Sequence, residues 1–453
     1  MKLSVIGIGY LGLTHAVCMA SLGHDVIGVD VDTAKVEAAA AGRVPFFEPG
    51  LDELLARTVA AGSIRFTTDF AEAAAFADVH FICVGTPQSA NSHAADTGYV
   101  TAAVESLARH CTGDHVIMGK STVPVGMSKQ LERVAHGFAG DTARFAVIWN
   151  PEFLREGHAV DDTLHPDRIV IGIDDKTAPD SSADDPLSAG ALVRRVEEIY
   201  ATPIGEGTPF LVCDTATAEL VKVSANAFLA TKISFINAVA EVCETAGADV
   251  VRLAEALGMD ERIGNKFLGA GLGFGGGCLP KDIRAFMARA GELGANEALT
   301  FLREVDTINL RRREKMVQLI GQCLGGSVAK KKITILGCAF KPNSDDVRDS
   351  PALAVAGALS LMGADVSVFD PAAMGGAKKL YPTLRYAADI TDALSGADAV
   401  GVATEWAQFI DLDPHAAGEV VHRRIMVDGR NCLDTGAWRA AGWQVSCLGR
   451  GNL

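Results

Sequence analysis

Short apolar runs alternate with stretches of helical periodicity along the chain. The first apolar run covers residues 3–8, a helical pattern follows over 13–22, and a second apolar run covers 26–30. Strands that alternate with helices in this way form parallel sheets. Similar runs recur before residue 150 and after residue 330, so the pattern predicts an α/β fold with two parallel sheets. The later strands are expected at 79–84, 116–118, 145–149, 333–341, 364–370, 399–403 and Ile425–Asp428.

One long segment between the two predicted sheets, residues 215–246, contains no Gly or Pro. Asp214 before it is a good N-cap, and Gly247 after it is a good residue to end a helix. A single helix of this length would extend ~48 Å, enough to bridge two domains and form a subunit contact. Lys222 and Asn226 lie one turn apart on it. Such a pair is typical of a solvated stripe; the alternative is that both side chains address one substrate oxygen.

Two further segments are predicted from their composition. A helical pattern covers roughly 283–324 and contains the basic run 311–313, which is typical of a solvated helix face. The segment 174–190 is rich in Asp, Ser, Ala and Pro, which is typical of a solvated surface segment.

The length, the net charge and the cysteine spacing argue against several classes of protein. A chain of 453 residues is too long for one core, and its net charge of −15 argues against nucleic acid as a partner. None of the ten cysteines forms a Cys-x-x-Cys pair, so no metal site is expected. The apolar stretch at the N-terminus is short, which predicts a first strand and not a targeting segment. We found no apolar run of the ~18 residues that a membrane span needs, so we expect a cytoplasmic protein with reduced thiols and no membrane partner.

A glycine motif directly follows the first predicted strand. It consists of Gly7, Ile8, Gly9, Tyr10, Leu11 and Gly12. In a strand–helix–strand unit, Gly7 would make the tight turn, Gly9 would let a pyrophosphate approach, and Gly12 would let helix and strand pack. Asp30 ends the second strand, where a carboxylate binds the ribose diol and repels a 2′-phosphate. The motif therefore predicts a Rossmann-type domain that binds NAD and not NADP.

Polar loops follow several other predicted strands. In open α/β sheets, ligands bind at the carboxyl ends of the strands, so the loops 85–87, 120–126 and 150–157 are candidate parts of a site. The second sheet lacks a glycine motif, so we expect its ligand to be other than a dinucleotide. Its loops after 340 and after 428 contain Lys341, Arg348 and Arg430, which are possible partners for an anion.

A glycine-rich stretch precedes Cys278, where four of the six residues before the thiol are glycine. Glycine allows close approach of a ligand to the main chain. Lys281 follows closely, and a nearby cation favours the thiolate. Asp282 could accept or relay a proton. The alternative is a small buried cysteine that serves packing only.

These motifs together resemble the UDP-glucose/GDP-mannose dehydrogenase family, and the resemblance runs from end to end. Besides the glycine motif and the Cys278 loop, it is carried by Gly85-Thr-Pro87, Ser121-Thr-Val-Pro-Val125, Asn150-Pro-Glu-Phe-Leu-Arg-Glu156, Ala218-Glu-Leu-Val-Lys-Val-Ser-Ala-Asn226, Arg262-Ile-Gly-Asn-Lys-Phe267 and Phe340-Lys341 with Arg348.

The resemblance implies two Rossmann-like parallel-sheet domains joined by a long central helix and a helical dimerisation region. The expected divisions are an NAD-binding domain at 1–213, a central region at 214–325 and a domain for the UDP-sugar at 326–453. The implied reaction oxidises the C6 alcohol of a nucleotide sugar, UDP-glucose by preference, to a carboxylate with two NAD+ and one water. The implied assembly is a homodimer.

The resemblance also implies roles for individual residues. Cys278 would be the nucleophile, with Lys222, Asn226 and Asp282 handling the C6 oxygen and water, and Thr122 and Glu152 assisting. Besides the glycine motif, the implied NAD contacts are Asp30, Lys35, Thr86, Thr122, Glu156, Lys281 and Arg348. The implied substrate contacts are Glu152, Phe153, Leu154, Glu156, Lys222, Asn226, Arg262, Phe267, Leu268, Gly269, Ala270, Gly271, Gly275, Lys341 and Arg430. Arg262 would reach the site of a neighbouring subunit.

Two positions depart from the family pattern. Gly277 stands where Ser is common, which we expect to change only loop flexibility, and Gly269 replaces a Lys found in some members. Three alternatives stay open: another nucleotide sugar such as GDP-mannose or a UDP-N-acetylhexosamine, a two-electron hydroxy-acid dehydrogenase, and a non-catalytic nucleotide-binding regulator. The motifs at 218–226 and 428–431 favour UDP-glucose. The second alternative gives no reason for Cys278 in a glycine loop. A regulator would be expected to have lost Cys278, Lys222 or Asp282, and all three are present.

Overall fold

Each of the two predicted sheets lies in its own unit, so the predicted α/β fold is confirmed. The structure is a computed structural model that describes residues 1–174 and 185–451. Most of the surface segment predicted at 174–190 therefore lies outside the described residues. The chain divides into a first unit of residues 1–225 and a second unit of residues 226–453.

The first unit contains an eight-stranded sheet with the order β3-β2-β1-β4-β5-β6-β7-β8. The first six strands are parallel and follow the order of a dinucleotide-binding fold. β7 is antiparallel to β6, and β8 runs with β7, so the edge of the sheet departs from the predicted parallel arrangement. The strands are β1 (Lys2–Ile6), β2 (Asp25–Val29), β3 (Ile64–Thr67), β4 (Val79–Ile82), β5 (Gly113–Gly119), β6 (Ala143–Trp149), β7 (Ile169–Gly172) and β8 (Phe210–Cys213).

Helices cover both faces of this sheet. Successive side chains of a strand point to opposite faces; on β1, Leu3 and Val5 enter one core and Ile6 enters the other. Both cores are apolar, which explains why the strands appear as continuous apolar runs in the sequence. The helices are α1 (Tyr10–Ser21), α2 (Thr33–Ala40), α3 (Leu51–Ala60), α4 (Phe70–Phe76), α5 (Gly98–Ala108), α6 (Met127–Ala139), α7 (Ala159–Leu164), α8 (Ala189–Ile199) and α9 (Ala201–Gly205).

The long central helix, α10 (Thr215–Ala246), has the predicted bounds. At its start, the side chain of Asp214 accepts a hydrogen bond from the Thr217 amide at 2.8 Å, and after its end Gly247 adopts a positive φ of 71°. Both ends therefore use the predicted caps. Among the described residues, α10 is the one helix long and apolar enough to cross a membrane, contrary to our expectation of no such run. Glu219 on this helix is buried, and its carboxylate accepts the amides of Gly126 and Ser128 at 2.5 and 2.7 Å, so this part of α10 packs inside the first unit.

The second unit contains a six-stranded sheet that is parallel throughout. Its order, β11-β10-β9-β12-β13-β14, repeats that of the first six strands of the first unit. The strands are β9 (Lys332–Leu336), β10 (Asp365–Phe369), β11 (Arg385–Tyr386), β12 (Ala399–Val402), β13 (Ile425–Asp428) and β14 (Gln444–Cys447). The helices are α11 (Val250–Gly258), α12 (Leu279–Glu292), α13 (Phe301–Cys323), α14 (Pro351–Leu361), α15 (Met374–Leu380), α16 (Ile390–Leu394), α17 (Ala407–Ile410), α18 (Pro414–Val420) and α19 (Thr435–Ala440).

Two predictions for the second unit are wrong in part. The helical region predicted at 283–324 consists of two helices, α12 and α13, separated by a loop in which Gly294 has a φ of 83°. The basic run 311–313 does not form a solvated face. Arg311 is exposed, but the side chain of Arg312 is fully buried and Arg313 forms an ion pair with Asp349 at 2.9 Å.

Candidate active site

The glycine motif between β1 and α1 leaves room for a ligand at one position. Gly7 has a φ of 89°, and a Cβ there would lie 2.7 Å from the Val84 side chain. A Cβ at Gly12 would lie 1.7 Å from the Gly7 carbonyl oxygen. A Cβ at Gly9 would meet nothing within 4 Å. The fold therefore requires Gly7 and Gly12, whereas Gly9 leaves open space beside the N-terminus of α1, where a pyrophosphate fits.

Asp30 at the end of β2 is fixed beside the same motif. Its carboxylate accepts hydrogen bonds from the amides of Ile8 and Asp32, both at 3.0 Å. Lys35 lies 3.8 Å from it. The neighbouring loops are also joined, because the Thr86 hydroxyl donates to the Thr122 carbonyl at 2.7 Å. Asp30 is thus held where the ribose diol of NAD would bind in this fold.

The loop 150–157 is held at its start by a buried lysine. The Lys120 ammonium donates to the Asn150 side-chain oxygen at 2.9 Å and to the Tyr200 hydroxyl at 3.3 Å. The Tyr200 hydroxyl donates to the same Asn150 oxygen at 2.7 Å. Burial, with a smaller contribution from the charge of Lys222, lowers the pKa of Lys120 to about 8. Lys120 belongs to the candidate loop 120–126, but no role is predicted for it from the sequence.

A buried carboxylate holds the other end of this loop. Glu48 accepts the amides of Gly157 and Ala159, each at 2.7 Å, and the hydroxyl of Tyr10. Burial followed by the hydrogen bond to Glu48 raises the pKa of the Tyr10 hydroxyl. Tyr10 therefore supports the loop that contains Glu152 and Glu156. Glu48 was missed from the sequence, because its partners in the loop, Gly157 and Ala159, lie more than one hundred positions away and no local motif contains it.

Within this loop, Glu152 forms an ion pair with Lys222 of α10 at 2.8 Å. Lys222 and Asn226 are 6% and 7% exposed, so neither belongs to a solvated stripe. The Leu154 amide donates to the other oxygen of Glu152 at 2.7 Å. The ring of Phe153 lies 5.8 Å from the Lys222 ammonium and 3.9 Å from the Arg168 guanidinium. These contacts hold a cation and a carboxylate together in a largely buried setting.

In the second unit, Cys278 occupies the N-cap position of α12 and is the only exposed cysteine of the ten. Its carbonyl accepts the Asp282 amide at 2.9 Å. The Asp282 carboxylate is 2% exposed; it accepts the Asn226 amide at 2.6 Å and pairs with Lys281 at 2.5 Å. The alternative of a buried packing cysteine is wrong. Helix N-termini favour the thiolate, and this exposed thiol lies one turn from a buried carboxylate.

The glycines before Cys278 are packed by the protein itself and leave no room for a ligand at their Cβ positions. A Cβ at Gly273, whose φ is 88°, would lie 2.3 Å from the Asn309 side chain. A Cβ at Gly275 would lie 2.3 Å from the Asp349 carbonyl oxygen. Asn309, buried on α13, pairs with both main-chain groups of Phe274 at 2.7 and 2.9 Å. Close approach to the main chain, which we expected of a ligand, is made here by side chains and carbonyls of the same unit.

The departure at Gly277 has a structural consequence. A Cβ there would lie 2.2 Å from the guanidinium carbon of Arg348. Arg348 is in turn held by Asp346, with an ion pair of 2.7 Å. The missing side chain at Gly277 therefore makes space for Arg348, and the effect is not limited to loop flexibility. At Gly269, the other departure, a Cβ would meet nothing within 4 Å.

The predicted substrate residues divide into supporting and exposed groups. The Arg430 guanidinium donates to the carbonyls of Ala403, Gly273 and Phe340 at 2.7, 2.8 and 3.1 Å, so it supports the glycine loop. Leu268 and Ala270 are buried and Gly271 is packed. Phe267 is exposed and has a positive φ of 65°. The Lys341 ammonium lies 5.4 Å from the Phe340 ring. Arg262 is 88% exposed and forms an ion pair with Asp260 at 2.6 Å. Sequence reasoning missed Asn237 and Arg312, which bond the Gly271 amide and carbonyl at 2.9 and 3.0 Å.

Known proteins of one enzyme family are similar to this chain in sequence and in the order of their domains. Sequence models of the UDP-glucose/GDP-mannose dehydrogenase family match the NAD binding domain over residues 1–202, the central domain over 216–311 and the UDP binding domain over 334–435. The UDP-glucose 6-dehydrogenase of Rhizobium meliloti is 41% identical over 99% of this chain and its own full length. The UDP-glucose 6-dehydrogenase YwqF of Bacillus subtilis is 38% identical over 99% of this chain and 98% of its own.

A solved structure shows the same fold. The UDP-glucose dehydrogenase of the hyperthermophilic archaeon Pyrobaculum islandicum superposes with a TM-score of 0.87 at 38% identity, over 98% of both chains. The resemblance predicted from the motifs is therefore confirmed. The chain belongs to the UDP-glucose/GDP-mannose dehydrogenase family and is an NAD-dependent dehydrogenase.

Proposed function

We propose that this enzyme oxidises the C6 alcohol of UDP-glucose to the carboxylate of UDP-glucuronate through covalent adducts of Cys278. The observation that carries this proposal is the single exposed thiol at the N-terminus of α12, one turn from the buried Asp282. A two-electron alcohol dehydrogenase needs no thiol. A four-electron oxidation does, because the intermediate aldehyde must be retained between two hydride transfers.

The thiol chemistry follows from this requirement. The Cys278 thiolate adds to the aldehyde carbon and forms a thiohemiacetal, which still carries a hydride to give. Loss of that hydride yields a thioester, and water then hydrolyses the thioester to the carboxylate and returns the thiol. NAD+, when bound, supplies the hydride acceptor for both oxidations. The overall balance is one alcohol, two NAD+ and one water consumed, with one carboxylate, two NADH and three protons formed.

Polar side chains around the reacting carbon would stabilise the charge that develops. Lys222 and Asn226, one turn apart on α10, would act as donors to the C6 oxygen, an effect of roughly 3–4 kcal/mol for a well-placed donor. Asp282 would position or deprotonate the attacking water. Glu152 and Thr122 would assist. The ion pair of Glu152 with Lys222 and the hydrogen bond of Asn226 with Asp282 support these assignments.

We assign the ligands to the parts of the chain in the same way. NAD would bind residues 1–213, the region 214–325 would supply the thiol and the subunit contact, and 326–453 would bind the UDP portion. The proposed NAD contacts are the glycine motif, Asp30, Lys35, Thr86, Thr122, Glu156, Lys281 and Arg348. The proposed substrate contacts are Glu152, Phe153, Leu154, Glu156, Lys222, Asn226, Arg262, Phe267, Leu268, Gly269, Ala270, Gly271, Gly275, Lys341 and Arg430.

We further propose that the enzyme is a homodimer that forms through α10. This helix exposes Phe228, Phe235 and Val242 with exposed fractions of 67%, 54% and 65%. The three residues are seven apart and therefore lie on one stripe of the helix. Large exposed apolar side chains in a row are typical of a protein interface. Reduced cysteines, nine of them buried or half-buried, support a cytoplasmic location.

Product stoichiometry tests the proposed reaction directly. Purified enzyme is given limiting UDP-glucose with excess NAD+, and NADH is measured by absorbance. Two NADH per UDP-glucose is the expected result. A ratio of one would indicate a two-electron dehydrogenase and would contradict the proposal, as would no NADH. The same assay with GDP-mannose decides the sugar, since a higher kcat/KM with GDP-mannose would reject UDP-glucose as the substrate.

A further inference from the structure

A cavity of about 50 Å³ lies inside the first unit, beside the loop 150–157. Its lining includes buried His15, Lys120 and Asn150, the largely buried Glu152 and the exposed Asp167. A cavity of this volume holds about three to five water molecules, at roughly 10–15 Å³ each. One proposed active-site residue, Glu152, is thus connected through the cavity to the surface of the unit.

His15 indicates that the cavity is wet. Its side chain on α1 is 1% exposed, and neither ring nitrogen has a hydrogen-bond partner among the described residues. Buried polar groups are almost always hydrogen-bonded, either to protein or to ordered water. Since His15 lines the cavity, water bound in the cavity would satisfy both nitrogens. The lining also includes the polar side chains of Lys120, Asn150 and Tyr200, which would hold such waters in place.

The two basic side chains can pass a proton near neutral pH in different ways: Lys120 releases and regains its own proton, whereas His15 accepts a proton on one ring nitrogen while it donates from the other. Burial lowers the pKa of Lys120 to about 8; the charge of Lys222 acts in the same direction, and the charge of Glu152 opposes it. Burial, then the charges of Lys120 and His24, lowers the pKa of His15. His15 is therefore neutral, with one donor and one acceptor nitrogen. Tyr200, which also faces Lys120, has its pKa raised by burial and stays protonated.

The proposed reaction creates a need for such a path. Each turnover converts one alcohol, two NAD+ and one water into one carboxylate, two NADH and three protons. These protons must leave a site where Glu152 is largely buried. The cavity joins Glu152 to solvent and contains two side chains that can accept and release protons.

We propose that this cavity is the route by which protons leave the active site, with Lys120 and His15 relaying them through bound water. The proposal rests on the proposed function, since it is the four-electron oxidation that releases three protons. Lys120 is also a positioning residue because it bonds Asn150 at the start of the loop.

Two variants separate proton relay from loop support. Lys120→Arg keeps the positive charge and the N–H donors toward Asn150 but does not release its proton, because the guanidinium pKa is above 12. His15→Phe keeps most of the ring volume but removes both nitrogens. For both variants we expect kcat to fall roughly tenfold or more, with the KM for UDP-glucose changed less than twofold. Lys129→Arg and His110→Phe are matched controls on the exposed surface and should behave as wild type.

Small buffers give the decisive readout. Turnover is measured at increasing imidazole concentration, with NADH absorbance and a pH-indicator dye followed together in a stopped-flow instrument. We expect imidazole to restore part of the lost kcat in both variants, and proton release to lag behind NADH at low buffer. An equal loss at every imidazole concentration, or no loss in either variant, would overturn the relay. A wild-type ratio other than two NADH per UDP-glucose would instead overturn the proposed function.

Discussion

Cys278 differs from the other cysteines in both exposure and position. Burial raises the pKa of the thiols of Cys83 and Cys111 to about 12, so these remain protonated and unreactive near neutral pH. Cys278 is exposed at the N-cap of α12. A single side chain therefore combines access with a backbone dipole that favours its thiolate.

Replacing Cys278 by Ser tests the covalent scheme. A serine hydroxyl has about the same size but is far less nucleophilic, so we expect oxidation to begin and uronic acid not to be released. Steady-state turnover should fall at least ~1,000-fold, or ~4 kcal/mol. Mass spectrometry of the products after a single turnover detects whether uronic acid is released, with Cys323→Ser as the control. Full turnover by the Cys278 variant would reject the thioester route.

Gly9 allows a test of cofactor binding that leaves the fold intact. A Cβ at this position meets no protein atom within 4 Å, so Gly9→Ala should unfold at the same temperature as wild type. The added methyl group would occupy the space of the pyrophosphate. Losing one charged hydrogen bond costs ~1.5–3 kcal/mol, which is a roughly 10- to 100-fold higher KM for NAD+. An unchanged KM would show that NAD does not approach here. Gly137→Ala is the control variant. Gly50→Ala, at an exposed turn, is not a suitable control because the φ of Gly50 is 77°.

At the scale of elements, the helices and strands whose signals are local could be predicted from the sequence. The bounds of α10 match the prediction because Asp214 and Gly247 stop it at both ends and no Gly or Pro interrupts it. For residues 283–324, in contrast, the sequence pattern predicts one helical stretch. The chain turns at Gly294, and only the packing of α12 against α13 shows that the two parts are separate helices.

Residues with distant partners could not be predicted. Arg312 belongs to a basic run and would be solvated by charge pattern alone, yet its side chain is fully buried and bonds the Gly271 carbonyl at 3.0 Å. Glu48 similarly bonds Gly157, 109 positions away. A sequence without aligned relatives contains no signal for such pairs. The reactive residues could be proposed because they lie in short motifs; the residues that support them lie outside those motifs.

The glycine loop before Cys278 depends on one such supporting residue, Asn309. It pairs with both main-chain groups of Phe274 and is 1% exposed. Asn309→Leu would leave a buried amide and a buried carbonyl unpaired, at a cost of about 2–4 kcal/mol in the free energy of unfolding. Urea denaturation measures this loss. Asn296→Leu on the exposed loop is the matched control, and equal stability of the two variants would contradict the role of Asn309.

For the whole molecule, the apolar stripe on α10 predicts the assembly. Phe235→Glu places a charge at its centre and should convert the dimer to a monomer in light-scattering measurements after size-exclusion chromatography. Leu361→Glu adds the same charge at another exposed apolar position, 92% exposed on α14, and should leave the mass unchanged. A dimer that persists in the Phe235 variant would place the subunit contact elsewhere.

The stability of the whole molecule should depend on pH from both sides of neutrality. Burial, and then the charge of His115, lowers the pKa of His80 from 6.5 to about 3. The folded state therefore keeps His80 neutral while the unfolded state takes up a proton below pH 6.5, so stability falls as the pH drops from 6.5 toward 3. The buried thiols of Cys83 and Cys111 act at the other limit. Their pKa values rise from 9.0 to about 12, so the unfolded state loses protons first and stability falls as the pH rises above 9.

We therefore expect maximal stability between about pH 6.5 and 9, with His80 contributing a loss of about 1.4 kcal/mol per pH unit on the acid side. The His80 ring bonds Ser4 at 2.7 Å and His115 at 3.0 Å. His80→Gln keeps a donor and an acceptor for these partners but does not titrate. The unfolding free energy of this variant should therefore change less steeply with pH between pH 6.5 and 5, by the amount that corresponds to one proton taken up on unfolding. His110→Gln, at an exposed position, should retain the wild-type slope. Urea denaturation at several pH values across this range measures the slope. If His80→Gln left the slope of unfolding free energy against pH unchanged, His80 would be protonated in the folded state, contrary to this prediction.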